Sequence, residues 1–128
     1  MATAAEITKQ CRGKTAYLAG ETAERLVQKQ YEQSGLVLAA HRWRGGGAEI
    51  DLIFRDGALC VFVEVKQSKD WQRASQSLSS AQMQRIMTAA TVFVAHEPKG
   101  QLTDMRFDVA LVDGQGRTQI LENALILG

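Results

Sequence analysis

Residues 48–66 read AEIDLIFRDGALCVFVEVK, and the way this stretch folds back on itself decides the architecture. Ala48 to Arg55 alternates in polarity, the pattern of a strand. Asp56-Gly57 follows, a dipeptide that favours a two-residue hairpin turn. Ala58 to Lys66 is apolar almost throughout, so the returning strand is expected to be central and covered on both faces. Successive strand side chains point to opposite faces. Leu59, Val61, Val63 and Val65 therefore share one face, and Cys60, Phe62, Glu64 and Lys66 the other. A turn centred on Asp56-Gly57 pairs Arg55 with Ala58 and, counting outward, Asp51 with Phe62. Asp51 then joins Glu64 and Lys66 on one face, with Glu64 its diagonal neighbour at roughly 7–8 Å between Cβ atoms.

This placement has chemical content. Two carboxylates that close repel each other unless a cation lies between them, and hard oxygen donors of this kind suit Mg²⁺. Lys66 beside them can stabilise negative charge building on a phosphodiester under attack, or help orient and deprotonate water. Glu-x-Lys alone is common on solvent-facing strands. Here both charges end a strand whose other residues are apolar, where unpaired charge is costly, and a third charged group reaches the same face through a separate turn signal. The same count sets Glu49 opposite Glu64. That like-charge pairing requires splayed strands, a basic partner for Glu49, or a cation serving both. An odd-length turn or a bulge would move Asp51 to the other face.

Outward from this hairpin the elements alternate. Residues 14–34 carry Ala19, Ala23, Leu26, Val27 and Gln30 at helical spacing, and Gly35 is a stop signal. Residues 36–43 (LVLAAHRW) read as a strand broken by Gly45-Gly46-Gly47, taken as a flexible turn. Residues 67–80 begin as a polar loop. A second helix runs from about Leu78 to Val94, with Met83, Ile86, Met87, Ala90 and Val94 on one stripe, and Pro98 lies beyond it. Residues 105–113 (MRFDVALVD) read as a further strand and 113–116 (DGQG) as a turn. The end, TQILENALILG, fits a strand followed by a short helix without excluding other readings. The order helix, three strands, helix, strand defines an α/β class with a central mixed sheet flanked by helices.

With 128 residues, one domain over 14–128 is expected, preceded by a disordered N-terminus over 1–13. Cys11 and Cys60 form no metal-binding spacing, and Cys60 reads as a buried, reduced core residue. No secretory leader or membrane-length apolar run is visible, and a cytoplasmic protein is the default expectation. The net charge of +1 is lower than usual for a strong nucleic-acid binder and does not decide the partner.

The acid, the hairpin and Glu64-Val65-Lys66 together resemble the PD-(D/E)xK nuclease signature. More closely, GGAEIDLIFRDGALCVFVEVK is similar to the core of the bacterial YraN-like family, related to the Holliday-junction resolvases of the restriction-endonuclease-like group. The likeness extends to GETAERLVQKQYEQSGL, RIMTAATVFVA and MRFDVALV, from about Gly20 to Val112. It implies a restriction-endonuclease-like fold and a Mg²⁺- or Mn²⁺-dependent endonuclease acting on DNA, with branched DNA as a possible substrate and a homodimer as a possible assembly. It assigns Asp51, Glu64 and the Val65 carbonyl to the metal and Lys66 to catalysis. Glu24 matches a helix acid that approaches the site, with Gly20 allowing close approach. Without the resemblance, Glu24 and Glu21 read as solvated helix charges, with Glu21 and Arg25 a fitting pair. This chain departs from the family pattern at Gln67-Ser68, at Gln82-Met83-Gln84, and at Ala48, where glycine is common. The first two thin the basic surface around the site.

Arg44, Lys69 and Arg73 are candidate phosphate contacts, with Arg42 and Arg85 as further basic residues, and Trp71 a candidate for stacking. Trp43 reads as a core aromatic. His41 and His96 have no partner at metal or triad spacing and read as surface or strand-edge residues. The alternatives to an enzyme are a nucleic-acid-binding module that keeps the fold without useful cleavage, and an interaction protein whose carboxylates hold a structural ion.

Overall fold

The computed structural model describes residues 20–67 and 79–124. The expectations for 1–13, for the start of the first helix, and for Lys69, Trp71 and Arg73 lie outside the described residues. Helix α1 occupies 20–33. Three strands follow: β1 (Val37–Gly45), β2 (Ala48–Asp56) and β3 (Leu59–Gln67). Helix α2 (Ser80–Val94) and a 3₁₀ turn (Gly100–Leu102) lead into β4 (Met105–Val112) and β5 (Thr118–Leu121). The five strands form one sheet in the order β1-β2-β3-β4-β5. All neighbours are antiparallel except β3 and β4, which run parallel. A parallel pair needs a crossover, and α2 supplies it.

Strand β3 is central, and its two faces feed two cores. On one side Val61 and Val63 meet Ala23, Val27 and Tyr31 of α1, with Leu52, Phe54, Ala110 and Val112. On the other, Cys60 and Phe62 meet Ile86, Ala89, Ala90 and Val94 of α2, with Ile53, Phe107, Val109 and Leu111. The expected α2 stripe is the buried one, with Met83 and Met87 packed at its margin. Ser79 caps α2 by accepting a bond from the Gln82 N–H at 3.1 Å, one of the orphan donors of a helix start. Trp43 packs edge-on against Phe93, as a core aromatic.

The hairpin turn differs from its expected position. Asp56 pairs with Leu59 and Arg55 with Cys60, so the turn residues are Gly57-Ala58. Gly57 has φ +60°, and a two-residue turn with glycine first accommodates that angle without steric cost. The pairings of Arg55 with Ala58 and of Asp51 with Phe62 are therefore incorrect; Phe62 faces Ile53. Sliding the turn by one position moves the cross-strand register by two, which preserves face parity. The β1–β2 turn is also tighter than the flexible glycine run expected from sequence. Gly45 pairs with Ala48, and Gly46 at φ +60° sits so close to α2 that a Cβ there would lie 3.1 Å from the Ala89 Cα.

Strand β4 carries a buried charge. Asp108 is fully buried. Its carboxylate accepts the Tyr31 hydroxyl at 2.7 Å, the Arg106 guanidinium at 2.9–3.0 Å and the Asn123 N–H at 2.9 Å. These bonds tie α1, β4 and the residues after β5 together.

Candidate functional site

The pleat breaks along one row of the sheet, and the candidate residues lie there. On β2, Leu52 and Phe54 face α1, whereas Ile50 belongs with Ile53 to the α2 core. Strict alternation would set Ile50 beside Leu52. The strand therefore changes face across Asp51. On β1, Arg42 has φ +50°, a left-handed conformation rare for a residue with a side chain. His41 pairs with Leu52 and Trp43 with Ile50, so Arg42 lies across from Asp51. The regular β2–β3 pairing ends at Leu52 and Val63. Beyond it the Val65 N–H donates to Asp51 Oδ2 at 2.8 Å, a side chain taking the place of a ladder carbonyl.

Asp51 and Glu64 meet in this gap. Continued past Leu52, the register sets them opposite rather than diagonal, and the Asp51 N–H makes a long 3.5 Å contact with Glu64 Oε1. Burial pushes the Glu64 carboxyl up to about 8, and the charge of Asp51 adds to the effect. Asp51 is also raised, first by burial and then by Glu24 and Glu49, against the Val65 N–H and Lys66. Lys66 lowers both acids through space and forms no direct ion pair among the described residues. The shifted register puts Asp51 rather than Glu49 opposite Glu64; Glu49 pairs with Arg44 at 2.9 Å, and its charge still adds to the upward push on both acids.

Glu24 is buried at this end of α1, contrary to the picture of a solvated helix charge. Its Oε2 accepts from His41 Nε2 at 2.7 Å and from Arg42 Nε at 3.1 Å. The partner of His41 comes from another element, and spacing along the chain carried no sign of it. Gly20 does not require the absence of a side chain, because a Cβ there would meet Gln67 Nε2 at an ordinary 3.7 Å. Arg44 projects into solvent, its side chain 83% exposed, beside an open cleft of about 420 Å³ lined by Gly45, Gly47, Ala48 and Glu49.

Among the described residues no group of three or more His, Cys, Asp or Glu side chains is arranged to hold a metal ion. The acidic oxygens brought together here are the carboxylates of Asp51 and Glu64. Burial raises both acids and the Asp51 charge raises Glu64 further; such a pair has the chemistry of divalent-cation ligands, because a cation would relieve both burial and repulsion.

The open mixed sheet with α1 and α2 on opposite faces is consistent with the restriction-endonuclease-like arrangement, an α/β class. Residues 23–112 match the Uncharacterised protein family UPF0102, the YraN family, and the chain belongs to it. A UPF0102 protein of Ruegeria pomeroyi is 58% identical over 113 residues, covering 88% of this chain and 92% of its own. One from Cereibacter sphaeroides is 55% identical over 112 residues, covering 88% and 96%. One from Dinoroseobacter shibae is 47% identical over 115 residues, covering 90% and 86%. Glu24, Asp51, Glu64 and Lys66 all fall inside the matched region. No helix among the described residues is long and apolar enough to cross a membrane.

Proposed function

We propose that this protein is a divalent-metal-dependent endonuclease that hydrolyses DNA phosphodiester bonds. The observation that carries the reading is the meeting of Asp51 and Glu64 at an interrupted ladder, with Lys66 on the same strand end. Asp51, Glu64 and the Val65 carbonyl would hold Mg²⁺ or Mn²⁺. When bound, such an ion supplies Lewis acidity toward a phosphoryl oxygen and a lowered pKa for water. Asp51 is oriented by the Val65 N–H, so its carboxylate is fixed before any ligand arrives. The Lys66 ammonium would balance negative charge accumulating on the phosphate oxygens. Glu24 has one carboxylate oxygen engaged by His41 and Arg42, while Oε1 accepts no bond among the described residues.

Arg44 is a candidate phosphate contact. Its exposed ion pair with Glu49 is worth little in water and can exchange for a DNA phosphate. Lys69 and Arg73 remain candidates for the same role. Branched DNA and a two-fold homodimer rest on family analogy and belong to the same proposal.

A second reading has its own support. Arg42 and Arg44 beside the site are both paired with acids, which weakens the positive field that draws DNA in. A DNA-binding module with negligible cleavage would fit that balance. The deciding experiment combines calorimetry with Mg²⁺ and Mn²⁺ and a nicking assay on linear, flapped and four-way DNA. The enzyme reading expects cleavage by the wild type and a loss of about 10²–10³-fold or more in Asp51→Ala and in Lys66→Ala. Metal-dependent DNA binding without cleavage establishes the module instead. Metal uptake with no DNA affinity leaves a structural ion.

A further inference from the structure

We propose that His41 and Arg42 are positioning residues that clamp the Glu24 carboxylate at the edge of the Asp51–Glu64 site. The inference rests on the nuclease reading above and adds to it the residues that hold its helix acid in place.

The geometry is unusual for a strand. Neighbouring side chains on β1 should point to opposite faces, so only one of His41 and Arg42 should reach α1. Both do, and both bond the same atom, Glu24 Oε2, at 2.7 and 3.1 Å. The left-handed backbone at Arg42 is what allows it, turning the second side chain back toward α1. That conformation is disfavoured for any residue with a Cβ and is seldom kept unless the surroundings demand it. A glycine would adopt the same angle without strain, yet would carry no guanidinium. The break also lies across from Asp51, where the pleat of β2 changes face and the β2–β3 ladder stops. Strain and site thus coincide on one row of the sheet.

The two bonds have different strengths as restraints. Arg42 keeps its charge at any working pH, and its side chain is two-thirds covered. His41 is more exposed and bonds through a single ring nitrogen. Together they constrain one oxygen, Oε2, from two directions, while Oε1 accepts no bond among the described residues. Glu24 is close enough to act electrostatically on Asp51, so its pose matters to the site. A phosphate contact is the competing role for Arg42, and it predicts a different kinetic signature.

The test compares wild type, Arg42→Gly, Arg42→Lys, His41→Ala, Glu24→Gln and the Glu24→Gln/Arg42→Gly double variant. Arg42→Gly preserves the backbone angle, which separates loss of the clamp from misfolding. Cleavage of a four-way junction and of supercoiled plasmid with Mn²⁺ gives kcat and KM. Arg42→Gly is expected to lower kcat about ten- to a hundred-fold with KM within about two-fold, as for a displaced catalytic group. Arg42→Lys should recover part of the loss. In the Glu24→Gln background the same substitution should change kcat by less than about two-fold, because the group being positioned is already gone. An undiminished loss in that background, or a rise in KM with kcat intact, overturns the clamp and makes Arg42 a DNA contact. If the wild type cleaves neither substrate, the nuclease reading fails by itself. The clamp is then decided by ¹³C relaxation at the Glu24 side chain. Order in the wild type that is lost in Arg42→Gly sustains it, and equal order in both proteins refutes it.

Discussion

Two carboxylates are buried in this sheet, and their surroundings are opposite in kind. Asp108 on β4 receives a hydroxyl, a guanidinium and a backbone N–H. Glu64, on the neighbouring strand, faces another acid, Asp51, and receives one long contact. Each lies within a few residues of the other in the β3–β4 register, where Glu64 pairs with Val109. A buried acid surrounded by donors is a fastening of the fold. A buried acid pressed against a like charge strains the metal-free fold once it ionises, which marks it as a candidate for binding rather than for fastening. The contrast also shows in the neighbours: Arg106 and the Tyr31 hydroxyl are both pushed to higher pKa beside Asp108, the former chiefly by its bond to that carboxylate and the latter chiefly by burial.

The sharpest way to break this comparison is to remove both acids in turn. Asp108→Ala leaves Arg106 and Tyr31 without their partner, and a loss of about 3–5 kcal/mol in urea unfolding is expected. A neutral result would mean that the network is ornamental. The second largest effect belongs to the cation. Mg²⁺ or Mn²⁺ at a hundred times its Kd should stabilise the wild type by about 2.7 kcal/mol, and Glu64→Gln should lose most of that gain. Equal thermal shifts in both proteins would move the ion elsewhere.

A smaller effect comes from pH without metal. The Glu64 carboxyl is raised from the ordinary 4.5 to about 8, so the folded state holds a proton that the unfolded chain releases. Its contribution is complete below about 4.5 and disappears as the pH rises through about 8. Metal-free wild type should therefore lose stability over that window, and Glu64→Gln should be flatter. At pH 8 the variant should be the more stable by on the order of 1–2 kcal/mol, after allowance for solvent screening. Chemical unfolding at pH 5 and pH 8 measures it, and a gap that closes with rising pH contradicts the assignment. The least effect is that of Tyr31→Phe, which removes one of several donors to Asp108 at a cost of about 1–1.5 kcal/mol.

Legibility in the sequence divided along the same line. The β2–β3 hairpin and the α2 stripe were readable because alternation and helical spacing report burial directly. The meeting of Asp51 with Glu64 survived a misplaced turn, since Gly57 taking the first turn position shifted pairing by an even step. What the pattern hid was the break in the pleat. Nothing in His41-Arg42-Trp43 signals a left-handed residue, which glycine or asparagine would have advertised. Contacts made across elements were equally silent, as with Glu24 and His41. The Asp108 network has a trace in the sequence. Arg106 and Asp108 stand two apart within an apolar strand, so they share a face, and a charged pair there calls for burial with partners.

The parallel junction of β3 with β4 bears on how the chain reaches this state. Strands β1, β2 and β3 join through two-residue turns, so their contacts are local and can form within microseconds. Cys60 must instead wait for Met105, far along the chain, after α2 has crossed the sheet. Closure of that long loop is the slow step expected for such a topology. Three of the four candidate residues would then be assembled in an early meander, while the buttress behind them arrives last. Substitutions in β4 should accordingly alter the unfolding rate more than those in the first hairpin do.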